Sequence, residues 1–129
     1  MMGRVLLIED EANIAEAIRF ILSRDGIEVS VLGDGAQALA AVAQARPDLV
    51  ILDLMLPGMS GFEILHALRA APETAGLPVL MLTAKGQVRE REAAERAGVS
   101  AFMSKPFANA EMRAVVRRLL DDARAGGVT

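Results

Sequence analysis

The chain has 129 residues, a formal net charge of −3, 53% hydrophobic and 24% charged residues, and no Cys, Trp or Tyr. This length suits one domain that buries roughly two thirds of its unfolded surface without disulfide or metal staples, and so apolar a composition excludes a disordered chain. Basic residues mixed with acids, the lack of any membrane-length apolar run and the lack of a leader peptide speak against direct nucleic-acid binding, a membrane span and secretion; absence of Cys fits the cytoplasm.

Taken in chain order, the pattern alternates strand and helix. Val5-Leu6-Leu7-Ile8 is a continuous apolar tetrad that runs into Glu9 and Asp10; such a tetrad suits a strand buried on both faces. Residues 11–24 then place Ile14, Ile18, Ile21 and Leu22 on one helical face, until Asp25-Gly26 breaks the helix. Val29, Val31 and Leu32, with Ser30 between, read as a shorter, less buried edge strand. A helix is expected over about 35–45, with Asp34 as N-cap, Gln37 three residues later and Pro47 closing the segment. The second tetrad, Leu49-Val50-Ile51-Leu52, ends in Asp53.

After a loop containing Pro57-Gly58, Ser60-x-x-Glu63 has the spacing of a capping box, with Met59 and Ile64 placed as a hydrophobic staple. That helix is expected to end near Ala71, before Pro72. The third tetrad, Val79-Leu80-Met81-Leu82, runs into Thr83. The next helix, about 87–97, has a thin apolar face of Val88, Ala93, Ala94 and Ala97, and carries i,i+4 pairs such as Glu92 with Arg96. A short strand around Ala101-Phe102-Met103 precedes Lys105-Pro106. A last helix, 108–122, puts Met112, Val115, Val116 and Leu119 on one face, and the Gly-rich end reads as frayed. The expectation is a domain over 1–123 and a tail over 124–129. Five βα units with right-handed crossovers make an α/β fold, a doubly wound parallel sheet with helices on both faces.

In such sheets ligands bind at the C-terminal edge of the strands. That edge would collect Glu9, Asp10, Asp53, Thr83 and Lys105. Clustered carboxylates repel one another and call for a cation. Mg²⁺ usually takes one or two protein carboxylates together with phosphate oxygens. Glu9 and Asp10 are suited to hold it, and Asp53 could share the ion while keeping an oxygen free to attack phosphorus. Lys105 and Thr83 supply the ammonium and hydroxyl that charge on transferring phosphoryl oxygens needs.

With those residues in hand, the chain resembles a two-component response-regulator receiver domain of the chemotaxis-receiver kind over nearly all its length. The resemblance rests on Glu9-Asp10, Asp53 followed by Leu54-x-Leu56-Pro57-Gly58-x-x-Gly61, Thr83-Ala84, and Lys105-Pro106-Phe107. It implies a flavodoxin-like sheet in the order 2-1-3-4-5 and a cis bond between Lys105 and Pro106. It implies that Asp53 accepts phosphate from a sensor histidine kinase or phosphotransfer protein, and that Glu9, Asp10, Asp53 and the Met55 backbone carbonyl bind Mg²⁺. Thr83 and Lys105 would engage the phosphoryl oxygens, and Phe102 resembles the switch aromatic that couples Asp53 to an output face for signalling in the cytoplasm. Such a chain is no enzyme beyond promoting its own phosphorylation and dephosphorylation.

Two positions depart from common patterns. Ser100-Ala101 replaces the paired acids used in one type of receiver dimer, so a monomer or weak dimer is expected. Met55 and Lys85 sit where water access to the phosphoryl group is tuned, and a bulky Met with a cation there would lengthen the phosphorylated lifetime. A stand-alone receiver acting through a downstream protein partner is favoured over a receiver module of a larger regulator. Two rivals are weaker. Gly33-x-Gly35-x-x-Ala38 matches a dinucleotide fingerprint, but Asp34 would face the pyrophosphate. A flavin carrier would set its phosphate against the acidic Glu9-Asp10-Glu11. His66 reads as a surface histidine. The arginines Arg113, Arg117, Arg118 and Arg124 read as a solvated helix face.

Overall fold

A strand with no polar position has no face to give to water, and the three apolar tetrads accordingly form the middle of one sheet. The computed structural model describes the backbone of residues 3–84 and 88–128, and side chains up to 123. Among the described residues the strands are β1 (Gly3–Ile8), β2 (Ile27–Leu32), β3 (Leu49–Asp53), β4 (Val79–Thr83) and β5 (Ala101–Ser104). They form a parallel sheet in the order β2-β1-β3-β4-β5. The helices are α1 (Ala12–Ser23), α2 (Ala38–Ala45), α3 (Gly61–Ala70), α4 (Val88–Arg96) and α5 (Asn109–Val128). No helix among the described residues is long and apolar enough to cross a membrane.

The period-2 alternation of strand side chains divides each tetrad between two cores. Val5, Leu7, Leu49, Ile51, Leu80 and Leu82 join Ile18, Leu22, Met112 and Val116 beneath α1 and α5. Leu6, Ile8, Val50, Leu52, Val79 and Met81 join Val42, Ile64, Leu65 and Leu68 beneath α2 and α3, with Ala94 of α4. Full burial of such a Leu or Ile contributes about 1.5–3 kcal/mol. The central strands are therefore the least able to move, and their C-terminal ends are rigid mounts.

Register then sets the levels of the loop residues. Ile8 pairs with Leu52, so the next residues, Glu9 and Asp53, emerge at the same height. Asp53 pairs with Leu82, and Thr83 pairs with Ser104. Lys105, one step further, donates its amide to the Thr83 carbonyl at 2.7 Å. The Lys105-Pro106 peptide is cis.

Several boundaries differ from the sequence expectation. The helix expected over 35–45 starts as a 3-10 turn, Gly35–Gln37, because Asp34 accepts the Ala36 amide at 2.8 Å and tightens the first turn. The last helix runs to Val128 rather than 122; glycine lowers helix propensity by about 1 kcal/mol but does not forbid helical dihedrals. Thr129 lies outside the described residues. Val88, expected on the buried face of α4, is the first residue of that helix and is 71% exposed, and only Ala94 of the helix is fully buried. Val31 is exposed on the edge strand. The Ser60–Glu63 capping box forms with both bonds at 3.2 Å, and Met59 and Ile64 share one core.

The Gly33-x-Gly35-x-x-Ala38 segment serves packing. A Cβ on Gly35 would collide with the Met59 carbonyl oxygen, and the Gly35 amide donates to the Pro57 carbonyl at 3.0 Å. Gly58, at φ 82°, faces Asp34 in return. The β3–α3 loop is thus pinned to the β2–α2 loop beside the C-terminal edge. Gly35→Ala should lower the unfolding free energy by about 1–3 kcal/mol or more, the usual cost of overpacking. Gly76→Ala, where a Cβ meets nothing within 4 Å, should leave stability unchanged or raise it by up to about 1 kcal/mol. Urea unfolding followed by circular dichroism distinguishes the two; equal losses would contradict the packing role of Gly35.

Candidate functional site

Glu9, Asp10, Asp53, Thr83 and Lys105 come together at the C-terminal edge, as the sequence spacing indicated. Glu9 is 2% exposed, Asp53 3% and Thr83 2%, whereas Asp10 is exposed. Burial of this kind for two carboxylates requires compensation. The Lys105 ammonium supplies it, 3.1 Å from Glu9 Oε1 and 3.1 Å from Asp53 Oδ2. The second oxygen of each carboxylate accepts a backbone amide: Glu11 N–H donates to Glu9 Oε2 at 3.1 Å and Met55 N–H donates to Asp53 Oδ1 at 3.2 Å. Both carboxylates are therefore fixed by strand ends, loop amides and one shared cation.

Glu11, which the sequence reading assigned no role, is a third partner of Lys105 at 3.3 Å. Its place beside Glu9-Asp10 in an acidic run was the available signal. Thr83 also has a partner that spacing did not reveal: its hydroxyl donates to Glu90 Oε1 of α4 at 3.2 Å. They lie seven positions apart, Thr83 at the end of β4 and Glu90 in the first turn of α4.

The charges leave their mark on the titration of the cluster. Burial raises the Glu9 carboxyl from its ordinary 4.5 to about 7, and its hydrogen bond to Asp53 adds to the rise against the Glu11 amide and Lys105. Burial acts to lower the Lys105 ammonium, but the bonds to Glu9 and Asp53 outweigh it and the net shift is upward. One carboxylate oxygen from each of Glu9, Asp10 and Asp53 lies within 4.8 Å of the others. This is an all-oxygen donor set at a spacing a hard divalent cation bridges.

Around the cluster, the Met55 side chain is 74% exposed at the rim; Lys85 lies outside the described residues. Phe102 on β5 is half-buried against the α3–α4 core, with the Arg91 guanidinium of α4 5.7 Å from the ring centroid. His66 is exposed. Ser100, where an acid was a common alternative, accepts the Val79 amide at 3.0 Å. Arg69 reaches the Gly98 carbonyl at 2.8 Å and the Thr74 carbonyl at 3.2 Å, tying α3 to the α4–β5 turn. Arg113 forks onto Asp25 at 2.9 and 3.0 Å and Arg117 adds a contact at 3.5 Å, so these two arginines bind α5 to the α1–β2 turn rather than standing as a purely solvated face. The Arg113 guanidinium holds the Asp25 carboxyl below its ordinary value.

Comparison with known proteins agrees with this arrangement. The family model of the response regulator receiver domain matches residues 5–117. The DNA-binding response regulator MtrA of Mycobacterium tuberculosis is 42% identical over 120 residues, 93% of this chain and 51% of that protein. The chain thus spans about half the length of the curated relatives it matches. A crystal structure described as that of a response regulator from Chloroflexus aurantiacus J-10-fl superposes with TM-score 0.88 at 33% identity, covering 92% of this chain and 98% of that one. The receiver domain of a signal transduction histidine kinase from Syntrophus aciditrophicus gives 0.86 at 29% identity, covering 93% and 91%. The matched span, the sheet order and the acidic edge agree, and the chain belongs to the response regulator receiver domain family of two-component systems.

Proposed function

We propose that Asp53 is the phosphoacceptor and that its donor is the phosphohistidine of a sensor kinase or phosphotransfer protein. The observation that carries this reading is the buried Asp53 carboxylate at a strand end, bridged by Lys105 to Glu9 and within 4.8 Å of the Glu9 and Asp10 oxygens. An Asp53 oxygen attacks phosphorus, the P–N bond to the donor imidazole breaks, and the imidazole leaves with the bonding electron pair. Asp53 ends as an acyl phosphate. Hydrolysis later returns the carboxylate and inorganic phosphate. In this reading the chain promotes its own phosphorylation and dephosphorylation and acts on no other substrate.

The donor set of Glu9, Asp10 and Asp53 fits Mg²⁺, with the Met55 carbonyl as a further oxygen ligand. When bound, the ion neutralises charge between the carboxylates and the phosphoryl oxygens. In this reading the Lys105 ammonium would meet one phosphoryl oxygen and the Thr83 hydroxyl would donate to another. The phosphoryl group adds roughly −1.5 to −2 charge and three acceptor oxygens. Movement of Thr83 toward it leaves space behind, into which Phe102 turns, biasing the face formed by α4, β5 and α5 between two states. This reading implies a cytoplasmic setting and an output carried by a downstream protein.

A second reading concerns extent. MtrA is about twice the matched length, which supports a receiver that serves as a module of a longer transcriptional regulator. The site chemistry is the same either way, and DNA contact would belong to the other module. The reading frame beyond Thr129 separates this from a stand-alone receiver.

Incubation with a small acyl phosphate and Mg²⁺ should add one phosphoryl group to the wild type and none to Asp53→Ala, as read by intact mass. Equal adducts would contradict the acceptor assignment. Removal of Mg²⁺ with a chelator should abolish the adduct. In chelator the Glu9 carboxyl also makes stability depend on pH. The native state holds that proton up to about pH 7 while the unfolded chain releases it near 4.5. The contribution is complete below 4.5 and lost as pH rises through about 7. Urea unfolding should show this fall for wild type and a flatter profile for Glu9→Gln. Mg²⁺ should restore wild-type stability at pH 7.5, since ionised Glu9 is then a ligand; parallel profiles for both proteins would contradict the role of Glu9.

A further inference from the structure

Helix α4 is poorly anchored by apolar contacts. Ala94 is its one fully buried residue and Val88, at its start, is exposed. An alanine methyl buries little area, so polar contacts carry much of the helix's attachment to the sheet edge. Two of them arise from adjacent residues. Glu90 Oε1 accepts the Thr83 hydroxyl at 3.2 Å, and the Arg91 guanidinium sits 5.7 Å from the Phe102 ring centroid. Consecutive residues of one helix thus hold both residues assigned to switching.

We infer that Glu90 is a positioning residue that competes with the phosphoryl group for the Thr83 hydroxyl, so that α4 restrains phosphorylation as well as responding to it. This rests on Asp53 being the acceptor. The Thr83 hydroxyl has a single proton to donate. While Glu90 accepts it, a phosphoryl oxygen on Asp53 lacks that donor. When the phosphoryl group takes it, Glu90 loses its partner and swings toward solvent. Arg91, on the same turn, is then less constrained over Phe102. A hydrogen bond to a charged acceptor is stronger than one between neutral groups, so the carboxylate of Glu90 is a real competitor and its removal favours the phosphorylated arrangement.

The competition differs from a general charge effect. Glu90 lies in the first turn of α4, where a carboxylate also complements the helix dipole, and it is an anion not far from where another anion would sit. Both effects persist when Thr83 lacks its hydroxyl. Competition through Thr83 does not.

The test is a double-mutant cycle with Glu90→Ala and Thr83→Ala, plus Glu90→Gln, on the full chain. Beryllofluoride with Mg²⁺ is titrated as the phosphoryl mimic and followed by amide NMR. Initial phosphorylation rates with a small acyl phosphate are followed by intact mass. Glu90→Ala should tighten beryllofluoride binding about tenfold and speed phosphorylation, and Glu90→Gln should do so to a lesser extent. In the Thr83→Ala background the same Glu90→Ala change should have a much smaller effect, the part that loss of the charge alone contributes. Binding by Glu90→Ala equal to wild type, or an equal gain with and without the Thr83 hydroxyl, overturns the inference. If wild type takes up no beryllofluoride, the acceptor reading falls and this inference falls with it.

Discussion

The Lys105 ammonium, 3.1 Å from both the Glu9 and the Asp53 carboxylates, is the contact on which the rest of the C-terminal edge depends. Two like unit charges 4 Å apart at an effective dielectric of 20 repel by about 4 kcal/mol, a large share of a domain's total stability. The strand register brings Glu9 and Asp53 to the same height, and the tetrads beneath them are too buried to shift. The repulsion therefore has to be met on the spot. Lys105 meets part of it, the amides of Glu11 and Met55 meet more, and Glu9 meets the remainder by holding its proton to about pH 7. A site under this tension gains from any added positive charge, which is why it suits a divalent cation.

Much of this was legible in the sequence. Continuous apolar tetrads suit strands buried on both faces, and if such strands are parallel neighbours their polar terminators collect at one edge. Asp25-Gly26, Ser60 with Glu63 and Pro72 bounded elements by mechanisms that act locally, so those boundaries held to within a residue or two. The sheet order and the cis peptide before Pro106 came from family resemblance, since no spacing rule dictates either. The dinucleotide-like glycines were legible as glycines but not as packing. Gly35 is required by the Met59 carbonyl, a neighbour 24 positions away that no local pattern exposes.

What the sequence could not reveal were the second partners. Glu11 reaching Lys105, Thr83 bonding Glu90, Arg69 clasping the α4–β5 turn and Arg113 clasping Asp25 are polar contacts between different elements of the fold. Hydrophobic periodicity carries no information about them. The thin face of α4 was visible in the pattern Val88, Ala93, Ala94, Ala97, yet the exposure of Val88 makes that helix depend on polar contacts even more than the pattern implied. An element so held, bonded through Glu90 to Thr83 at the edge that carries Glu9, Asp53 and Lys105, is well placed to respond to them.

The central claim is that Asp53, among 17 acidic residues, is the one that becomes an acyl phosphate. Borohydride reduces an aspartyl phosphate to homoserine and leaves free carboxylates intact. After reaction with a small acyl phosphate and Mg²⁺, then borohydride, peptide mass mapping should find homoserine at position 53 and nowhere else. Homoserine at another position, or none despite a phosphoryl adduct on the intact chain, would contradict the account.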